Sequence, residues 1–244
     1  MNVSHVLKRL SQFTSCDVSD ALVKYGVSNG GYIPNLTLQS TNNNNNKTMV
    51  GTAYTVLFAS RDDPEYLEVP ELKGGYIDNI PENSVLVIGT TLNLQKLNAP
   101  YTKVNNALYG GLMSTRAQYL KSSGTVVIGR IRDLKEHQSL ERMVFSYGVG
   151  STAHGPVVKL IGINVPLQIK YDNYPEPYIE TIKPGDFIIG DENGIVKLSC
   201  EDEELVTNCL EYMPKRVAAD TLVAQDINNG KNCVQSQKLR REAS

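Results

Sequence analysis

Neither sign of charge is in excess. Twenty-four Lys and Arg face 26 Asp and Glu, a net charge of −2, so no global positive field is present to hold nucleic acid or an anionic membrane. No stretch approaches the ~20 apolar residues of a membrane-spanning helix. The four cysteines, Cys16, Cys200, Cys209 and Cys233, include no Cys-x-x-Cys pair. That spacing fits neither a zinc ribbon nor a disulfide framework, and a reducing, intracellular compartment is expected. There is no P-loop, no G-x-S-x-G elbow and no G-x-G-x-x-G, so P-loop chemistry, an esterase nucleophile and a dinucleotide site are not expected. The opening MNVSHVLKRLSQF has no apolar h-region, and a cytoplasmic location is expected. Lys8 and Arg9 without a neighbouring acid would also suit a mitochondrial presequence. The competing reading makes Val6, Leu7 and Leu10 one face of a first helix.

What is present is an ordinary globular mix: 41% hydrophobic and 20% charged over 244 residues. Helices are expected at 4–13 and 18–25, the second capped by Asp17 or Ser19 and ended by Gly26. The run Asn42–Asn46 cannot bury apolar surface, so 40–48 reads as a mobile loop. Val50–Ala59 is strand-like. A loop over 60–71 and a helix near 72–79 follow. Ser84–Ile88 is wholly apolar, as in parallel strands covered on both faces. After a polar connection, 90–108, comes Gly110-Gly111. Met113, Ala117 and Leu120 then recur at helical spacing, predicting a helix over 112–122 ended by Gly124. Thr125–Ile128 is the next buried strand, so 84–133 reads as one β-loop-α-β unit.

A helical patch near 135–143 and strands at 143–147, 156–161 and 164–169 are expected next. Phe187–Ile189 and Gly194–Leu198 flank hairpin-turn residues. Ser199 should cap a helix that Pro214 kinks or restarts. The reading is a single α/β domain, 1–228, with a helical C-terminal extension. A polar, frayed tail follows over 229–244.

The β-loop-α-β unit has a geometric consequence. A right-handed crossover brings the helix N-terminus to the carboxyl ends of both strands, where ligands of open α/β sheets sit. The amides of Gly110, Gly111, Leu112 and Met113 and the side chains of Arg132 and Asp133 should therefore meet. Helix amides favour an anion. A guanidinium fork suits a carboxylate, and an acid beside it attracts a hard cation such as Mg²⁺. Together they describe a site for a metal-chelating oxo acid. The same residues would also suit a surface ion pair beside a turn. His137 reads as a polar surface residue, with an acid-base role as the alternative. His154 lies in the glycine-rich loop Gly148–Gly155. Lys135 should point outward, which leaves no lysine for a Schiff base, and Cys16 has no visible histidine partner.

The stretches YGGLMSTRAQ (109–118) and GTVVIGRIRDLKEH (124–137) resemble the RraA-like family. That family includes the class II 4-hydroxy-4-methyl-2-oxoglutarate aldolases, which also decarboxylate oxaloacetate. Its motif is Gly, twenty residues, Arg-Asp, two residues and an acid; here these are Gly111, Arg132-Asp133 and Glu136. Similarity extends to Cys16–Leu22, Val50–Ala53, Lys183–Asp186 and Gly190–Val196, and the Glu136-His137 pair resembles fungal-type members.

The resemblance implies a β/β/α swivelling-type domain, assembled as a homotrimer or hexamer with sites at subunit interfaces. It implies that the Gly110–Met113 segment binds the pyruvyl part of a 2-oxo acid, that Arg132 pairs with its carboxylate or keto oxygen, and that Asp133 holds Mg²⁺ (or Mn²⁺), with Glu136 in a less defined role. The implied reaction is cleavage of a C–C bond through a metal-stabilised pyruvate enolate, solvent at the metal accepting the C4 hydroxyl proton. Some members inhibit RNase E and lack the final acid or have an altered Arg-Asp pair. A non-catalytic regulator of an RNA-processing enzyme is therefore the alternative.

Overall fold

The computed structural model describes residues 1–40, 48–67 and 75–241. The asparagine run lies outside them. In chain order the strands are β1 (Tyr32–Ile33), β2 (Thr37–Leu38), β3 (Met49–Ser60), β4 (Ser84–Thr90), β5 (Ala107–Tyr109), β6 (Gly124–Ile131), β7 (Met143–Val149), β8 (Val158–Ile163), β9 (Leu167–Tyr171), β10 (Tyr178–Ile182), β11 (Phe187–Asp191) and β12 (Gly194–Leu198). The helices are α1 (Val3–Leu10), α2 (Ser15–Lys24), α3 (Gly75–Asp78), α4 (Gly111–Tyr119), α5 (Leu134–Ser139), α6 (Glu203–Asn228) and α7 (Cys233–Arg241).

The main sheet runs β1-β12-β11-β3-β4-β6-β7-β2, with β5 paired to β6 and β8 to β3. Its centre, β3-β4-β6-β7, is parallel, and β11 joins β3 antiparallel. As expected for a strand covered on both faces, every residue of β4 is buried. Its side chains alternate between two cores. Val85 and Val87, with Val126, Ile128 and Phe145, pack against Leu167, Ile169, Tyr171 and Ile182 of the small β9-β10 sheet. Leu86 and Ile88, with Val127 and Val144, pack against Tyr76, Ile77 and Ala117 of α3 and α4. The layer order is thus sheet, sheet, helix. Each such aliphatic side chain contributes roughly 1.5–3 kcal/mol on burial. A third core packs α1, α2 and α6 on β11-β12 through Leu10, Val18, Leu22, Val206 and Met213.

Several local expectations are corrected. Thr14, not Asp17 or Ser19, caps α2: its hydroxyl accepts from Asp17 N at 3.1 Å and Asp17 Oδ2 accepts from Thr14 N at 2.9 Å, a capping box. Gly124 does not end α4. It opens β6, where a Cβ would overlap Met49 Sδ. Asp202, not Ser199, caps α6, accepting from Leu205 N at 2.9 Å. Pro214 sits inside an unbroken α6. It cannot donate to the carbonyl of Leu210, and the Arg9 guanidinium donates there instead.

The expected frayed tail is largely helical. α7 docks on α6 through Arg240 and Lys231 to Asp226 and Arg241 to Asp220. The sequence reading also missed β10, because Pro175 and Pro177 hide a strand whose pairing partner is β9.

Candidate active site

Parallel pairing sets β5 beside β6 with Tyr109 opposite Ile131, and Arg132 N donates to Tyr109 O at 3.0 Å. Two strand ends therefore meet where α4 begins. The chain then turns sharply. Asp133 adopts the left-handed conformation, φ 61° and ψ 47°, which a residue other than Gly adopts at a cost of roughly 1–2 kcal/mol. The turn aims its carboxylate back at the tip of α4, where Oδ2 accepts from Gly111 N at 3.1 Å. Gly110 is the N-cap residue and has no side chain to offer. An acid 22 residues downstream does the capping instead.

This arrangement explains the glycines. A Cβ on Gly110 would lie 2.9 Å from Asp133 Oδ2 and 3.1 Å from Arg132 Nε. A Cβ on Gly111 would overlap the Glu136 carboxylate. It also narrows the expected amide cradle. Gly111 N is engaged by Asp133, so what remains of that cradle is the first-turn amides of Leu112 and Met113, which lack intrahelical acceptors.

Arg132 Nε stands 3.4 Å from Asp133 Oδ2, with the two side chains 42% and 35% exposed. At that exposure the pair adds little stability. Among the described residues, neither terminal nitrogen of Arg132 nor Asp133 Oδ1 has a protein partner. Both residues, with Gly110, Leu112, Met113 and Glu136, line a cavity of about 650 Å³. Phe58, Tyr76, Leu108, Val158 and Leu160 supply apolar lining to the same cavity.

His137 is not on the surface. It is fully buried, its ring stacked on Tyr109 with centroids 5.6 Å apart. Nε2 lies 2.8 Å from Arg132 O. A carbonyl only accepts, so Nε2 donates, and the bond holds the Arg132–Asp133 peptide in its turn. Burial pushes the His137 pKa below the usual range. Beneath α4, the buried Arg142 donates to Tyr109 Oη (3.2 Å), Ser114 O (3.1 Å), Ser122 Oγ (3.2 Å) and Thr125 Oγ1 (2.9 Å), tying β5, α4 and β6 together.

Two charged cavity residues, Arg61 and Lys159, escaped the sequence reading, and His154, noted there only for its glycine-rich loop, lines the same cavity. Arg61 follows β3, which is parallel to β4, so strand direction alone brings it to the same edge. His154 and Lys159 belong to the β7-β8 connection and β8, whose return to β3 no local pattern reveals. Lys159 Nζ is held by the carbonyls of Arg61 (3.1 Å) and Asp63 (2.8 Å). Lys135 is exposed, as expected. The Cys16 thiol is pushed up by burial and then by Asp191, which suits its omission as a nucleophile.

A mixed-sheet α/β domain with a helix tip, an arginine and an acid gathered at one strand edge defines the class. The RraA-like family model, described as Aldolase/RraA, matches residues 15–197, and the chain belongs to that family. It is 30% identical over 207 residues to a Halalkalibacterium halodurans protein provisionally named a 4-hydroxy-4-methyl-2-oxoglutarate aldolase, covering 85% of this chain and 80% of that one. It is 26% identical over 211 residues to protein DlpA of Legionella pneumophila, covering 84% of this chain but only 29% of DlpA. Among solved structures, an uncharacterised Pseudomonas syringae protein aligns with a TM-score of 0.72 at 23% identity, covering 96% and 97% of the two chains. RraAS2 of Streptomyces coelicolor, an unusual member of the RNase ES inhibitor RraA family, aligns at 0.63 and 17%, covering 88% and 96%. These likenesses show the fold. No helix among the described residues is long and apolar enough to cross a membrane.

Proposed function

We propose that the protein is a divalent-metal-dependent lyase that cleaves a C–C bond of a 2-oxo acid. The observation that carries this reading is the Asp133 carboxylate, with one oxygen turned onto the α4 tip and the other open to a cavity it shares with Arg132. Among the described residues no three His, Cys, Asp or Glu side chains converge on one point. A closed protein cage is therefore a poor fit. Mg²⁺, which keeps several waters and takes one or two carboxylates plus substrate, fits Asp133 with Glu136 nearby; Mn²⁺ is the alternative. When bound, the cation would supply Lewis acidity toward the carboxylate and keto oxygens of the substrate.

The protein's own groups do the rest. The amides of Leu112 and Met113 face the substrate carboxylate. The Arg132 guanidinium stabilises the oxygen that gains charge as pyruvate enolate forms. The apolar lining limits water around it. Retro-aldol cleavage of 4-hydroxy-4-methyl-2-oxoglutarate and decarboxylation of oxaloacetate both pass through that enolate, so one site serves both. The provisional name of the Halalkalibacterium halodurans relative agrees with this reading. Assembly as a homotrimer or hexamer is part of the proposal, supported by the exposed apolar residues Leu112, at the site, and Tyr119, at the far end of α4, each 75% exposed.

The chemistry-bearing side chains line a cavity rather than a flat face, which favours an enzyme over a regulator that binds an RNA-processing partner. The test is pyruvate release from both substrates with Mg²⁺ and with EDTA. Release should require the cation and vanish in Asp133→Ala while the circular dichroism spectrum is kept. Full activity in EDTA or in Asp133→Ala would overturn the proposal.

A further inference from the structure

The same cavity holds an ionisable group outside the Gly-Arg-Asp-acid motif. His154 follows Ala153, which forms an isolated parallel bridge to Ala107 of β5. Its Nδ1 lies 3.3 Å from Ala107 O. Because the carbonyl accepts, Nδ1 carries the proton and the neutral ring keeps its lone pair on Nε2. The ring also packs edge-on against Phe58, centroids 5.0 Å apart. Among the described residues, Nε2 meets no protein partner, and the imidazole forms part of the wall that Arg132, Asp133 and Glu136 share. Burial pulls the His154 pKa below its ordinary value; the Ala107 carbonyl opposes this, and the charges of Arg132 and Arg61 add to it. The ring is therefore neutral at physiological pH.

The carboxylates are less suited to proton removal. One oxygen of Asp133 is committed to Gly111 N, and Glu136 lies over the α4 tip, where the oxo-acid end binds. The imidazole beside Ala107 lines the same cavity as Arg132, so it borders the space into which C3 and C4 of a substrate anchored by Arg132 extend.

We propose that His154, in place of the solvent at the metal that the family resemblance implies, is the base of aldol cleavage, acting on 4-hydroxy-2-oxo acids, an inference that rests on the lyase reading above. Nε2 takes the proton of the C4 hydroxyl. The C3–C4 bond breaks, C4 leaves as a carbonyl, and the electron pair enters the enolate of pyruvate. The imidazolium returns its proton to C3, giving pyruvate and a neutral ring. Oxaloacetate loses CO₂ without any hydroxyl proton to remove, so the two reactions depend on His154 differently.

The experiment compares pyruvate release from 4-hydroxy-4-methyl-2-oxoglutarate and from oxaloacetate, with Mg²⁺, in the wild type and in His154→Gln. The ratio of aldol cleavage to decarboxylation should fall by about 10²–10⁴-fold, the range of a general base. In a second variant, His154→Ala, added imidazole should restore aldol cleavage selectively. An unchanged ratio, including equal loss of both activities, overturns the assignment and leaves the lyase reading intact. A wild type that releases pyruvate from neither substrate overturns both.

Discussion

Asp133 carries three duties on one side chain. It occupies a left-handed backbone position, caps α4 across 22 residues of sequence and offers its second oxygen to the cavity. Gly111 is the other half of that contact, because the Glu136 carboxylate rests where any β-carbon would be. Gly111→Ala should lower stability by ~1–3 kcal/mol through overpacking. Adding Glu136→Ala should recover most of that loss, since the two residues touch. Urea unfolding of the single and double variants checks both. Arg132→Ala should cost ~2–4 kcal/mol of transition-state stabilisation, read from kcat/KM for oxaloacetate. Arg132→Lys should regain only part of it, because a point charge lacks the fork. At this scale the juxtaposition was readable in the sequence: the Gly110–Gly111 and Arg132–Asp133 pairs do meet. What could not be read was that Asp133 would occupy the first amide itself, or that His137 would turn inward to hold the Arg132 carbonyl. Both depend on a φ reversal at Asp133, which Asp adopts more readily than most residues but which nothing in the local sequence pattern announces.

At the scale of elements, the β-loop-α-β reading survives with one addition. β5 intervenes between β4 and α4, a three-residue strand too short to announce itself among the polar residues of 90–108. The C-terminal helices were less legible. α7 has few apolar residues to bury, and what docks it is charge. The Asp226 side chain is only 7% exposed, and hydrogen bonds from Arg240 and then Lys231 hold its pKa down to about 2. Because the folded value lies below that of an unfolded Asp, about 3.9, the clamp is at full strength above that value. It is lost as pH falls through the folded one. Asp226→Asn should release α7 at neutral pH, seen as faster trypsin cleavage at Lys238. In the wild type the α7 amides should stay protected from exchange to a pH of about 3.

For the whole molecule, buried parallel strands were legible because Ser84–Ile88 and Thr125–Ile128 leave no polar face to show water. The cavity was not. It needs β8 to come back antiparallel along β3, bringing His154 and Lys159 opposite a helix tip more than thirty residues away in sequence. The sequence signals for these two were a glycine-rich loop and an ordinary strand, neither of which names a neighbour. The expected β/β/α layering follows from the alternation along β4, since its odd-numbered valines meet the small sheet and its even-numbered residues meet the helices.

The hydrogen bond from Arg9 to the carbonyl stranded by Pro214 makes the first helix a splint for the longest one. Clipping or pulling away the amino-terminal turns would leave α6 with a soft joint one turn before the proline, so that the far helices could pivot while the sheet beneath them stayed rigid.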